Sequence, residues 1–336
     1  MSKILTPIRN LFRYHKLKMV TVVLFALAFT LLIFPYDDLA DLATAKISQL
    51  TNNSVYLQFN SLDLGLFPPG LGMEDVVVET QTLPAVKASR VSVSPLIGSL
   101  IVGRPGGSVD AQNLFGGAVA ADYHEGEKLK SGERMKTIAV DAKGLKLPAL
   151  ATFLRDGNLA TLLVQGTLNL STQMQFDPLF DTQPNGEVGL KIDNFILPSQ
   201  LVPVSMSPGA PAMQVAMPEL KLGLTKLAAK MENGNLQISD FSFGNSTTIS
   251  GKISGTVGVT FRRSSAGVQP IVGGYDLRVN LKLPPDFART NQQGLGFAYG
   301  LMPPAAHKET PQGVELAFRL QPPAPGQGLP QITALQ

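Results

Sequence analysis

His15, His124 and His307 are the only histidines in the chain, and no two stand at the short spacing with which a helix or loop presents a metal. Two carboxylate pairs, Glu74/Asp75 and Asp177/Asp181, have the residue types that glycoside hydrolysis uses. Both fall where strands should end, and a solvated turn accounts for an acid there. Cysteine is absent, which excludes a thiolate nucleophile, a disulfide and a cysteine metal site. The chain has no Walker loop, nucleophile elbow or HExxH, and Gly294-x-Gly296-x-x-x-Gly300 misses the dinucleotide spacing and has no strand in front of it. Asn52, Asn169 and Asn245 open Asn-x-Ser/Thr triplets, to which no role is assigned. The expectation is a protein with no catalytic, cofactor-binding or metal-binding residues, and not an enzyme.

The elements that would position any other kind of site begin with a greasy run from Met19 to Phe34. Lys3, Arg9, Arg13, Lys16 and Lys18 precede it, and Asp37, Asp38 and Asp41 follow. At about 1.5 Å per helical residue the run reaches roughly 24 Å, short of a bilayer core of about 30 Å. Leu17, Pro35 and Tyr36 cover the deficit, with Lys18 snorkelling to the headgroups. Basic residues favour the cytoplasmic side, so residues 1–18 read as a cytoplasmic stub, 19–36 as a single-pass inner-membrane anchor, and the remainder as periplasmic. A cleaved signal peptide is the alternative, but Ala43-Thr44-Ala45, the only nearby small-x-small site, lies well past the run.

Five of the 28 cations belong to the stub, leaving 23 against 25 acids beyond it. That balance removes the electrostatic case for nucleic acid. Only 16% of residues are charged, while Gly numbers 32 and Pro 25, a turn-rich composition suited to many strands.

Period-two alternation is the strongest pattern. Leu162, Val164, Leu168, Leu170, Met174 and Phe176 alternate with polar residues, as do Ile249, Ile253, Val257, Val259 and Phe261, and Ile271, Tyr275, Leu277, Val279, Leu281 and Leu283. Such strands have one wet and one greasy face. Glycines inside them, at Gly166, Gly251, Gly255, Gly258, Gly273 and Gly274, suit bulges and strong coiling. Asn233-Gly234-Asn235 reads as a hairpin turn. Helices are brief: an amphipathic one over 37–50, and others over 95–102, 148–155 and 286–299. The fold expected is mainly β: an elongated, strongly twisted antiparallel sheet with a few short helices, occupying 37–320. Five prolines between Leu197 and Pro218 suggest a long loop there, with a division of the domain at 197–218 as an alternative. The charge-free, proline-rich segment 321–336 is expected to be disordered.

Three segments carry a resemblance: Phe34-Pro35-Tyr36-Asp37-Asp38-Leu39, the stretch from Leu57 to Leu64, and the stretch from Val86 to Leu96. Together they resemble the type II secretion system protein N family, in its delta-proteobacterial and spirochaete branch. Gly106 to Ala111 followed by Leu114 to Ala118 is similar to the AsmA-like superfamily. The resemblance implies an inner-membrane protein whose periplasmic β domain accompanies other envelope proteins of the secretion machinery. It carries over no site residues.

Two functions follow. The first is an accessory or structural component of type II secretion, its sheet edges pairing with partners by strand addition. The second is an AsmA-like lipid-binding or lipid-transfer protein whose groove shields phospholipid acyl chains, lined by Leu162, Val164, Leu168, Leu170, Met174, Phe176, Ile249, Ile253, Val257 and Val259. The alternative for those same residues is a closed core.

Overall fold

Alternating apolar and polar residues put one face of each strand to water, and strands so patterned are stable only side by side. In a computed structural model, sixteen strands form one antiparallel sheet. The residues described are 20–22, 25–26, 29, 44–46, 48–49, 51, 53–66, 69–80, 84–151, 163–204, 213–244, 249–264, 267–285, 303–311, 313–324 and 330–335.

In chain order the strands are β1 (Val55–Gln58), β2 (Ser61–Leu66), β3 (Pro69–Thr80), β4 (Val86–Pro95), β5 (Gly106–Leu114), β6 (Gly117–Lys128), β7 (Arg134–Lys146), β8 (Gln165–Phe176), β9 (Asn185–Leu197), β10 (Gln200–Val204), β11 (Met213–Met217), β12 (Leu220–Glu232), β13 (Asn235–Phe243), β14 (Ser250–Ser264), β15 (Gly267–Leu283), β16 (His307–Thr310), β17 (Gly313–Gln321) and β18 (Gln331–Ala334). Two short helices, α1 (Ile97–Ile101) and α2 (Leu147–Ala151), and a 3₁₀ turn at Pro304–Ala306 interrupt them.

The path is a meander, β3-β4-β5-β6-β7-β8-β9-β12-β13-β14-β15-β17, in which each strand pairs with its predecessor. One outer edge is shared end to end by β2 and β1, which pair with opposite halves of β3. The other is shared by β16 and β18 along β17. No pairing joins the two edges among the described residues, so the sheet is open. Short, broken edge strands are a common defence against unwanted pairing.

Eight successive pairs, from β5/β6 to β14/β15, contain a register shift. Each bulge bends its strand and increases local twist, so the run coils the sheet. Gly255 shows the local requirement: its φ is +141°, and a Cβ there would run into Asp276 O and Leu277 Cα.

Two expectations change, and a third falls mostly outside the described residues. The stretch 197–218 is not simply a loop, because β10 and β11 form a hairpin within it, while β9 and β12 on either side pair directly. The sheet therefore passes through that point without a break. Part of the tail expected to be disordered is ordered: β18 pairs with β17, since Gln331–Ala334 is free of proline and the edge beside Phe318–Gln321 is open to it. Finally, no helix among the described residues is long and apolar enough to cross a membrane. Most of the anchor expected over 19–36 lies outside the described residues; positions 20–22, 25–26 and 29 are helical, with Val20, Val22, Phe25 and Phe29 exposed. The helix expected over 286–299 also lies outside them.

Candidate functional site

Register places side chains as well as backbones. Following facing residues from strand to strand, Leu62 meets Met73, then Val91, Ala111, Val119 and Ala142. The row continues through Leu170, Leu190, Leu227, Phe241, Ile253, Val279, Phe318 and Ala334. It contains no polar side chain. At about 4.8 Å per strand step it spans about 60 Å measured along the sheet. A parallel row from Leu64, Leu71, Val93 and Val109 to Leu277, Leu320 and Ile332 is interrupted only by Thr172 and Gly255.

Between these rows, facing the other way, lie Ser92, Asp110, Ala120, Asp141, Ser171, Gly189, Ala228 and Asp240. Ion pairs decorate this polar face. Arg319 donates through Nε and Nη2 to both carboxylate oxygens of Asp276, each at 2.5 Å. That fork lowers the Asp276 pKa and raises that of Arg319; Lys282, 2.8 Å from Glu315, likewise lowers the Glu315 carboxyl. Two shallow depressions also open on this side, of about 460 Å³ beside Gln173, Glu187 and Lys230, and about 380 Å³ beside Asp141, Ser171 and Lys226.

The apolar face is unevenly covered. At its C-terminal end Val279, Leu283, Ala306, Leu316 and Phe318 form a buried cluster, with Leu220, Ile249, Ile253, Leu281 and Ile332 packed on it. The 3₁₀ turn brings Ala306 onto β17 and β18 and helps to roof this end. Toward the N-terminal end Leu71, Val93 and Val109 are 43%, 38% and 40% exposed. Among the described residues the main contacts of each strand there are with its hydrogen-bonded neighbours and short helices.

An aromatic bridge spans the middle. Phe180 stacks on Phe176 at 6.0 Å and on Phe261 at 6.2 Å. Phe176 ends β8 and Phe261 lies in β14, four strand steps away, a separation of about 19 Å in a flat sheet. Two ring contacts close that gap, so the sheet coils with its apolar face inward. Gln183 reinforces the bridge: its Oε1 accepts from Phe261 N at 2.7 Å, and its Nε2 donates to Phe261 O at 3.3 Å. Asp177, 3% exposed, accepts from Leu179 N and Thr182 N and so holds the turn that presents Phe180.

Searches of family models, curated proteins and solved structures found no match to this chain.

Of the residues expected to line a groove, Leu168, Leu170, Met174 and Phe176 share the apolar face of β8, and Ile253, Val257 and Val259 that of β14. Val164 precedes β8, Ile249 packs against the buried cluster, and Leu162 lies outside the described residues. The two strands are not neighbours; β9, β12 and β13 join them. Sequence reasoning left those three out, along with Phe180, whose role depends on a pairing made 81 positions further on.

Three of the four paired acids have structural partners. Glu74 accepts from Ser61 Oγ and approaches Arg90, Asp75 accepts from Asn60 Nδ2, and Asp177 is engaged as above. Among the described residues, no three His, Cys, Asp or Glu side chains cluster as metal ligands would.

Proposed function

We propose that the coiled sheet is a trough that carries the acyl chains of lipids on its apolar face. The row from Leu62 to Ala334 is the observation that supports this reading: it is uninterrupted by polar groups, its C-terminal end is closed into a core, and beside its N-terminal end the parallel row is exposed at Leu71, Val93 and Val109. Each methylene taken from water is worth about 0.8 kcal/mol, so a sixteen-carbon chain gains on the order of 10 kcal/mol before ordering costs. The protein belongs to the cell envelope in this reading, with residues 19–36 as its inner-membrane anchor, the N-terminus cytoplasmic and the sheet periplasmic.

A photo-crosslinking amino acid at Val109 or Leu170, installed in the full chain in cells, should yield phospholipid adducts by mass spectrometry. The same group at Asp110 or Ser171, on the opposite face, should not. Adducts from both faces, or from neither, would overturn the trough.

The accessory role in type II secretion rests on the resemblance of the named segments. As a strand-addition scaffold it is disfavoured by the edges, since β1, β16 and β18 each have four residues and β2 six. Secretion subunits recovered with the full chain after crosslinking, with no lipid adducts, would favour it over the trough.

A further inference from the structure

The pairing of β13 with β14 stops at Gly258, and that of β17 with β15 starts at Leu277. Between those points β14 and β15 pair only with each other, from Val259/Val272 to Ser264/Gly267. At about 3.4 Å per residue this two-stranded ribbon projects roughly 20 Å beyond the sheet. Its base is tied down by Gln183 and by Val259 N, which donates to Gly234 O at 2.7 Å.

From base to tip the ribbon is greasy and basic. Val268, Ile271 and Val272 are 47%, 43% and 67% exposed, and Arg262 and Arg263 are exposed beside them. No aspartate or glutamate occurs between Asp240 and Asp276, and neither arginine forms an ion pair among the described residues. A soluble ribbon gains nothing from exposed valine and isoleucine next to uncompensated cations. A surface with an oily interior and anionic headgroups satisfies both at once.

We propose that the projecting ribbon of β14 and β15 docks on an anionic phospholipid bilayer by both of its faces, Val268 and Val272 entering the interface from one and Ile271 from the other, with Arg262 and Arg263 on the headgroups. The same end of the sheet carries α1, where Ile97 and Ile101 are 49% and 81% exposed, a second apolar contact on the same side. The strand that follows the N-terminal segment, β1, starts from the opposite end. Docking goes beyond the trough and gives it a lipid source, because the inward face of the ribbon, Val259/Val272 and Phe261/Pro270, continues the apolar face at Val257/Tyr275.

The absence of cysteine allows a single label. The full chain, kept soluble in an amphipathic polymer, is labelled at Val272→Cys with an environment-sensitive dye, and at Ser171→Cys as a control on the polar face. Vesicles containing phosphatidylglycerol should shift the 272 emission to the blue and raise it several-fold, with phosphatidylcholine vesicles giving much less and position 171 unchanged. At about 1 kcal/mol per cation near an anionic surface, Arg262→Gln with Arg263→Gln should weaken partitioning about thirty-fold. No response at 272, an equal response at 171, or unchanged partitioning in the double variant would overturn docking, including the case in which the ribbon instead binds protein. A chain that responds at 272 but gives no lipid adducts at Val109 or Leu170 would overturn the trough alone. The converse result would overturn the ribbon alone.

Discussion

The two ends of the sheet have the same strand chemistry and different cover. Val93 and Val109 on β4 and β5 share the apolar face with Val279 and Phe318 on β15 and β17, one row over, yet they are 38% and 40% exposed against 6% and 5%. Alternation determines which face is greasy; what lies over that face is decided elsewhere in the chain. At the C-terminal end a 3₁₀ turn, β16 and β18 wrap β17, and the greasy face becomes a core. At the N-terminal end Leu62 is buried, but Leu71, Val93 and Val109 on the same kind of face stay exposed among the described residues.

The strongest way to break this contrast is to place one charge at each end. Val279→Asp would bury a carboxylate without a partner and should cost more than about 4 kcal/mol, whereas Val109→Asp should cost less than about 1 kcal/mol. Denaturant midpoints of the two variants measure the difference directly. Equal losses would mean that the N-terminal face is also a core. With stability intact, Val109→Asp should still abolish lipid adducts formed at Leu170 if the trough is continuous.

A smaller effect tests the coiling. Gly255 has a φ of +141° in a bulged stretch where a side chain would meet the backbone of β15. Gly255→Ala should cost about 2–3 kcal/mol, from backbone strain and displaced pairing. An unaltered thermal midpoint would show that this bend is not needed.

The aromatic bridge lies between the two ends, and its effect should be smaller again. Phe180→Ala removes two ring contacts and should cost about 1–2 kcal/mol. Hydrogen exchange would sharpen the comparison: protection should fall at the ribbon base around Phe261 and stay unchanged in β4 and β5. A uniform fall across the sheet would mean that the bridge supports the whole fold rather than one stretch of it.

Where the alternation runs unbroken, the sequence discloses the face. β8 is legible because Leu168, Leu170, Met174 and Phe176 keep strict parity. β12 is not: Leu220, Leu222 and Leu224 read as one face, but Gly223 at φ +63° shifts the register, so Leu222 is 7% exposed and Leu224 43%. Thr225 takes the inward place at 2%, a hydroxyl that periodicity would have put outside. Composition misled at the tail as well, where proline content concealed the pairing of Ile332 with Leu320. Cover was the least legible property, since it depends on Ala306 joining a cluster with Val279 and on Phe180 reaching Phe261, 81 positions on.

The smallest effect should come from pH, and it is expected mainly at the closed end. Asp276 and Glu315 lie on the polar side of β15 and β17, directly behind the buried cluster, and hydrogen bonds from Arg319 and Lys282 lower both pKa values. A depressed carboxylate contributes stability that is complete above its ordinary range and is lost as pH falls through the folded value. Acid should therefore loosen β15 and β17, modestly, because both pairs are open to water and screened by salt. The raised values of Arg319 and Lys230 act at the alkaline limit instead, their contribution fading only as pH rises through them. Thermal midpoints measured from neutral to acid pH should fall less steeply for Asp276→Asn than for the unaltered chain, and added salt should narrow the gap between them. Identical slopes would remove the Arg319 pair from any role in holding the closed end together.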